Sequence, residues 1–173
     1  MKRITPFAAI LISLFFSACA TRQSPPSTVG EVDLARYAGT WFEIARYPNW
    51  FQRHCAGETQ AVYAVQKDGS VRVENSCLDA GGVRKQAIGR ATVVPGSGNA
   101  KLKVSFFGPF AGPYWIIGLD EKSYSWAVVG HPTRKYLWIL SRTPKLPETE
   151  SRRVLALIKA QGYDASRLIT TPQ

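Results

Sequence analysis

The sequence predicts an all-β domain of eight antiparallel strands followed by one helix. Three observations lead to this fold class. Aromatic residues make up 12% of the 173 residues, within a hydrophobic content of 45%, which favours strands. Apolar segments recur at regular spacing and are separated by short turn sequences rich in Gly, Pro, Asn and Asp. Sequential hairpins of this kind form a meander, and eight strands then either close into a barrel or fold into a sandwich.

The N-terminus is typical of an export signal. Lys2 and Arg3 precede a short apolar stretch, and small residues then lead to Cys19. This pattern resembles a bacterial lipoprotein signal, which implies that Cys19 is lipidated. Because Ala20 follows the Cys in place of Asp, the resemblance implies the outer membrane, with the periplasmic face as the expected side. A plain secretory signal cleaved near Ala18 or Ala20 is the alternative.

These features divide the chain into three predicted parts. Residues 1–18 form the signal peptide, residues 19–29 a flexible polar tether, and residues 30–173 one folded domain. Within the domain, Asp33 is expected to cap a helical turn that ends at Tyr37.

The first strand, 39–47, is rich in aromatic and β-branched residues and ends before Pro48. Strict alternation places Trp41, Glu43 and Ala45 on one face. The other face then carries Phe42, Ile44 and Arg46, of which Phe42 and Ile44 are candidates for helix docking.

Each later strand is bounded by turn residues. Asp68-Gly69 suits a hairpin, since Gly readily adopts positive φ. Lys101 and Lys103 alternate with Leu102 and Val104, as in a half-buried strand. The eight predicted strands are 39–47, 59–66, 71–78, 83–94, 100–107, 114–119, 124–130 and 135–142.

The remaining segments are loops, one helix and a short last strand. Loop 48–58 carries Trp50 and Phe51, which either lie over a cavity mouth or plug the end of the barrel. Residues 108–113 are expected to form another loop. Pro147 begins a helix that Gly162 ends, and its apolar stripe should pack outside the sheet. Residues 167–170 form the last strand.

Cys55 and Cys77 remain as a pair if Cys19 carries lipid. An exported chain meets an oxidising compartment, so a disulfide is expected. It would close a loop of about 22 residues, worth ~3 kcal/mol in the loop-entropy model. Two free thiols are the alternative.

The formal net charge of +10 indicates either a basic surface that attracts anionic partners or simply a soluble one. The basic residues are scattered, so no nucleic-acid partner is predicted. Neither a Gly-x-Ser-x-Gly nor a His-Glu-x-x-His motif occurs. The two histidines, His54 and His131, fall short of the three or four ligands usual for a metal. We therefore predict no enzyme, no metal site and no cofactor.

Three blocks of sequence, in this order, resemble the lipocalins. Residues 39–46, 102–110 and 136–144 are similar to bacterial outer-membrane lipocalins related to apolipoprotein D. The resemblance implies an eight-stranded antiparallel up-and-down β-barrel with the C-terminal α-helix packed outside. It also gives Gly39, Trp41 and Arg142 a structural task, with Arg142 packed over Trp41 at the closed end.

The resemblance further implies an amphiphilic ligand, a fatty acid or lysophospholipid, and is compatible with a homodimer. An apolar cavity with a few tyrosine hydroxyls would suit such a ligand. On the sixth strand, Tyr114 is preferred over Trp115 as the inward residue. The alternative is that these rings only fill the core of an envelope interaction lipoprotein. The residues predicted to line the cavity are Tyr63, Val104, Phe106, Tyr114, Tyr136, Trp138 and Leu140.

Overall fold

The computed structural model describes residues 23–173, so the predicted signal peptide and Cys19 lie outside the described residues. The described part contains a short helix α1 (Leu34–Tyr37), a longer helix α2 (Glu148–Ala160) and nine strands. The strands are β1 (Gly39–Arg46), β2 (Gly57–Val65), β3 (Val71–Leu78), β4 (Arg84–Val93), β5 (Lys101–Phe107), β6 (Phe110–Leu119), β7 (Trp126–Gly130), β8 (Leu137–Ser141) and β9 (Ile169–Thr170).

The first eight strands close into a barrel. Each strand pairs antiparallel with the next one in the chain, and β1 pairs with both β2 and β8. β9 adds to the second half of β1, where Ala45 pairs with Thr170. The predicted up-and-down barrel is confirmed, and closure leaves no long exposed sheet edge.

Several strand boundaries differ from the prediction by a few residues, and two of these differences have a clear local cause. β6 begins at Phe110, four residues earlier than expected, because Phe107 pairs with Phe110 across a two-residue turn. Gly108 supplies the positive φ of +52° in that turn. β7 begins at Trp126, later than expected, since Tyr124 has a φ of +54° within the preceding turn.

A β-bulge in β1 breaks the strict alternation predicted for this strand. The register with β8 shifts between Glu43 and Ala45, so the residues after the bulge change faces. Ala45 packs outside the barrel, against the helix side, rather than with Trp41. Arg46 turns inward and pairs with Glu43.

The buried residues form two clusters, one on each side of the sheet. The inner cluster fills the half of the barrel nearest α1, which we call the lower half. It includes Trp41, Leu102, Ile116 and Leu140. The outer cluster lies between the barrel wall and α2. It consists of Ala45, Tyr47, Ile117, Trp126, Val128, Leu137, Ile139, Val154, Ile158 and Tyr163.

Helix α2 packs outside the barrel, as predicted, through Val154 and Ile158. Burial of two such side chains contributes about 1.5–3 kcal/mol each. Gly118 allows the close approach, since a Cβ there would lie 2.9 Å from Leu157 Cδ1. Of the two residues predicted to receive the helix, Ile44 packs against the outer cluster and Phe42 is not part of it.

One end of the barrel is closed by α1 and Arg142. Asp33 caps α1, accepting hydrogen bonds from two backbone N–H groups. The Arg142 guanidinium lies 3.9 Å from the centre of the Trp41 ring and donates to the carbonyls of Thr40 and Arg36. This partly exposed cation–π contact is worth about 0.5–2 kcal/mol. The arrangement is the one that the resemblance implied for Trp41 and Arg142.

The segment before α1 runs along the barrel surface. Ser27 exchanges two hydrogen bonds with the side chain of Gln161, at 2.9 and 3.1 Å. Val29 and Val32 donate backbone N–H groups to carbonyls of the barrel. Residues 27–32 are therefore held against the barrel by hydrogen bonds.

Within residues 23–173, no helix is long and apolar enough to cross a membrane.

Candidate ligand-binding site

The end of the barrel opposite α1 is its mouth. β1 leads away from the closed end, and the strands then alternate in direction. The loops after β1, β3, β5 and β7 therefore meet at the mouth. These mouth loops span residues 47–56, 79–83, 108–109 and 131–136.

The inward side chains become less buried from the closed end towards the mouth. On β5, Leu102 is fully buried, whereas Val104 and Phe106 are only partly buried. On β8, Leu140 is buried and Trp138 is partly buried. Because these side chains point into the barrel, their exposed surface faces its interior. The upper half of the barrel, which we call the upper chamber, is thus packed less tightly than the half near α1.

The inner face of β4 carries unusually small residues. Ala87, Gly89 and Ala91 alternate along it, opposite Asn75, Val73 and Val71 of β3. A Cβ on Gly89 would lie 2.7 Å from the ring of Phe106, so the glycine makes room for this ring. Ala87 lies nearer the mouth and leaves the space beside it unfilled by its own side chain.

The lower interior is nearly full. A cavity of about 10 Å³ lies at the base of the upper chamber. This volume is room for about one water. An acyl chain of any length must therefore bind above this level or displace side chains. The cavity is lined by Leu34, Tyr37, Tyr63, Val71, Ala91, Leu102, Val104 and Tyr114.

Three tyrosine hydroxyls are bonded in a row beside this cavity. The Tyr114 hydroxyl lies 2.9 Å from that of Tyr37 and 2.9 Å from that of Tyr63. Burial raises the pKa of all three phenols, that of Tyr63 to about 12. The row is therefore neutral at physiological pH, and it places polar groups at the floor of an apolar chamber.

A buried polar cluster lies higher in the barrel, around the Glu43 carboxylate. Arg46 Nη1 lies 3.3 Å from Glu43 Oε1, and Gln52 Nε2 donates to Oε2 at 2.7 Å. The Trp138 indole in turn donates to Gln52 Oε1 at 2.9 Å. Thr171 donates its hydroxyl to Glu43 as well. Glu43 is thus paired with an arginine of its own strand.

Two buried polar atoms in the described residues have no hydrogen-bond partner, Arg46 Nε and Thr59 Oγ1. Thr59 shares the inward face of β2 with Ala61 and Tyr63, which lie in the inner cluster. Buried polar groups are normally bonded, so each orphaned atom calls for an explanation. Both belong to strands that line the chamber, and a bound polar group is one such explanation.

The mouth is stabilised by a disulfide and by aromatic rings that pack against one another. Cys55 and Cys77 are bonded, which ties the loop after β1 to the end of β3. His54 lies close by, but both sulfurs are occupied by their mutual bond. Phe51 packs edge-on against Tyr136, and Tyr136 packs against Trp138.

The structure brings the predicted cavity residues together on the inside of the barrel, with one exception. Tyr63, Val104 and Tyr114 line the small cavity. Phe106, Trp138 and Leu140 belong to the inner cluster or pack on it. Tyr136 lies instead at the rim, against Phe51 and His131. Their contact with a ligand stays a prediction.

Sequence reasoning missed three features of the site. Tyr37 reaches the interior from α1, outside any strand whose alternation could reveal it. Arg46 was placed on the wrong face because the bulge in β1 has no local sequence signal. The third feature is the small inner face of β4, formed by Ala87, Gly89 and Ala91.

A second cavity, of about 270 Å³, lies outside the barrel beneath α2. It is a cleft between the helix and strands β1, β8 and β9. Its walls are largely apolar and belong to the helix-docking surface, with Ile44, Ile139 and Leu168 among them. It contains no charged group that would orient a ligand.

The chain matches the family model of the lipocalin-like domain over residues 32–173. The protein therefore belongs to the lipocalin family, as the sequence predicted. Lipocalins are a family of binding proteins, which supports the prediction that this chain is not an enzyme.

Comparison with individual proteins gives a more specific similarity within the lipocalin family. The outer membrane lipoprotein Blc of Escherichia coli is 38% identical over 175 residues, covering 99% of this chain and 98% of the relative. Blc of Vibrio cholerae is 38% identical, covering 95% and 96%. Mouse apolipoprotein D is 32% identical, covering 100% and 96%. The two Blc names support the predicted location, a lipid-anchored protein of the outer membrane.

Solved structures agree with the fold. Insecticyanin from the tobacco hornworm Manduca sexta superposes with a TM-score of 0.70 at 26% identity, covering 87% of this chain and 85% of the other. Lobster apocrustacyanin A1 gives a TM-score of 0.66 at 20% identity, covering 87% and 91%. At that identity the second likeness concerns the fold alone.

Proposed function

We propose that the protein binds one fatty acid or lysophospholipid, with the acyl chain in the upper barrel and the head group near the mouth. The observation that carries this proposal is the burial gradient, since Val104, Phe106 and Trp138 lie on the inside of the barrel and are only partly buried. An apolar wall of this kind stabilises a buried chain by ~0.8 kcal/mol per methylene.

The polar cluster is the proposed head-group site. Arg46 Nε is a buried donor without a partner, and a carboxylate or phosphate oxygen would satisfy it. The Glu43 carboxylate holds the guanidinium in place through Nη1. Thr59 Oγ1, which has no partner within residues 23–173, is a further hydroxyl on the inner face of the barrel that could donate to a polar head group.

In the envelope, such a protein would store or carry amphiphiles during membrane maintenance. The relatives named as outer membrane lipoproteins support this setting, and we place the domain on the periplasmic face. Lipid attached to Cys19 would hold it there. A homodimer is compatible with this function.

The test is a titration of the purified, delipidated protein with oleate and with lysophosphatidylcholine, followed by tryptophan fluorescence. We expect saturable quenching with one ligand per chain or per dimer, because Trp138 borders the chamber. Trp138→Ala should remove most of the signal change.

A matched pair of variants locates the site. Ala87→Phe fills the upper chamber and should weaken binding at least about tenfold, equivalent to ~1.4 kcal/mol. Ile88→Phe puts the same ring on the outer face, where Ile88 is exposed, and should leave binding unchanged. Equal affinity of both variants for the ligand would indicate that it binds outside the barrel. The cleft under α2 would then be the next site to test.

Absence of saturable quenching in folded, lipid-free protein would overturn the proposal. The small lower cavity would then mean that the barrel is filled by its own side chains. In that case the envelope interaction protein becomes the better account.

A further inference from the structure

Large aromatic side chains stand exposed on two opposite sides of the mouth. Trp50, in the loop after β1, is 71% exposed. Phe107 and Phe110, which flank the turn between β5 and β6, are 79% and 80% exposed. Exposed apolar groups of this size mark an interaction surface when they occur together. In the strand order of the barrel, these two loops lie across the mouth from each other.

This placement favours a broad, flat partner. A small ligand or a peptide would meet one loop, whereas a bilayer surface meets both loops at once. Trp and Phe are side chains that partition into the interfacial region of a membrane.

The charges around the mouth are consistent with a lipid surface. Asp79 and Glu58 are paired with Lys85 and Arg84. Among residues 23–173, Arg53 and Lys135 of the mouth loops form no ion pair with a carboxylate, so positive charge is in excess. Side chains of this charge are attracted to an anionic lipid surface.

The N-terminal segment leaves the domain at the same end. The side chain of Gln23 lies against Gly162, next to the guanidinium of Arg134 from the loop after β7. Arg134 also donates to the Gln161 carbonyl at 2.6 Å, which fixes the end of α2 to this loop. Gln23 is thus held at the mouth end of the barrel.

Chain length then limits where a lipid on Cys19 can lie. Cys19 precedes Gln23 by four residues, which span at most ~14 Å. A strand such as β3, with eight residues, is ~26 Å long. The anchor therefore cannot reach past the closed end, and the membrane must lie on the mouth side or beside the barrel.

We infer that the mouth of the barrel docks on the membrane that holds the lipid anchor. Trp50, Phe107 and Phe110 enter the head-group region, and Arg53 and Lys135 contact lipid phosphates. The inference rests on lipidation of Cys19 and does not depend on what the barrel binds. It gives an amphiphile a direct route between the bilayer and the chamber, without crossing bulk water.

The test uses the full acylated protein in vesicles of phosphatidylethanolamine and phosphatidylglycerol, with acyl chains brominated to quench nearby tryptophan. The contribution of Trp50 is the difference between wild type and Trp50→Phe. We expect this difference to be quenched by brominated lipid and to show a blue-shifted emission. An unquenched Trp50 with the emission of a hydrated indole would overturn the inference.

A pair of surface variants supplies the control. Phe107→Ser with Phe110→Ser should reduce the quenching of Trp50 at least about twofold, since both loops act on one surface. Val65→Ser removes an exposed apolar residue at the closed end and should change nothing. Equal quenching of Trp50 in the wild type and in both surface variants would contradict docking through the mouth. Oleate titration of the same proteins reports separately on the proposed function.

Discussion

The Tyr114 hydroxyl connects two other tyrosines that come from distant parts of the chain. Tyr37 lies on α1 and Tyr63 on β2, and within residues 23–173 each of these phenols is bonded only to Tyr114. Satisfied hydrogen bonds allow these polar atoms to remain buried, because an unpaired buried hydroxyl costs about 1–3 kcal/mol.

Tyr114→Phe should therefore lower the free energy of unfolding by about 1–3 kcal/mol, since it leaves two hydroxyls without a partner. Urea unfolding followed by circular dichroism measures the change. Tyr136→Phe is the matched control, because the Tyr136 hydroxyl makes no hydrogen bond within residues 23–173. A loss of the same size in both variants would contradict the role of the hydroxyl row.

The raised pKa of Tyr63 makes stability depend on alkaline pH. Burial raises this pKa from the ordinary value of 10.0 to about 12. Above pH ~10 the unfolded chain loses the proton while the folded chain keeps it, so stability falls as pH rises towards ~12. The expected loss is about 2–3 kcal/mol across this window, at ~1.36 kcal/mol for each pH unit.

Thermal unfolding between about pH 9 and pH 11.5 measures this effect. Tyr63→Phe has no proton to lose, so its stability should decline less steeply than that of the wild type over the same range. Parallel curves would show that Tyr63 already ionises in the folded protein.

At the scale of elements, the loop after β1 depends on its disulfide. The bond between Cys55 and Cys77 spans 22 residues and joins this loop to β3. Gln52, in the same loop, bonds both Glu43 and Trp138. The loop thus carries part of the polar cluster, and its position at the mouth matters for the site.

Replacing both cysteines by Ala should lower the free energy of unfolding by ~3 kcal/mol, because the unfolded chain regains loop entropy. Urea unfolding of the double variant, compared with oxidised wild type, measures this loss. Wild type with a reduced bond should approach the double variant. Unchanged stability in both cases would mean that the closed loop adds nothing beyond the barrel itself.

Helix α2 could be predicted from the sequence, but the surface against which it packs could not. Its limits and its apolar stripe followed from Pro147, Gly162 and the spacing of Val154 and Ile158. The barrel surface against which the helix packs could not be predicted in the same way, because the bulge in β1 moves Ala45 to the outside. A bulge depends on pairing with β8, and a single strand carries no record of it.

At the scale of the whole molecule, ligand binding and folding are linked. A ligand that binds only the folded barrel at a hundred times its Kd stabilises the barrel by ~2.7 kcal/mol. We expect saturating oleate to raise the midpoint of urea unfolding of the wild type accordingly. Ala87→Phe should show little of this gain, while Ile88→Phe should keep it. An equal gain in Ala87→Phe would contradict binding in the upper chamber.

Local sequence patterns were sufficient to predict the class of fold and most of its elements. Alternation, aromatic content and turn residues act over a few positions, so eight strands and one helix could be predicted within a few residues. The closed barrel, and the contact between Trp41 and Arg142, came from the resemblance to lipocalins and agree with the structure.

The contacts between distant segments follow instead from tertiary packing. It turned Arg46 inward beside Glu43, joined three tyrosine hydroxyls in a row, and left the lower barrel almost full. It also placed Gln23 at the mouth, which gives the anchor its direction. These arrangements depend on strand register and on packing between residues far apart in the chain, and local sequence preferences do not encode either of them.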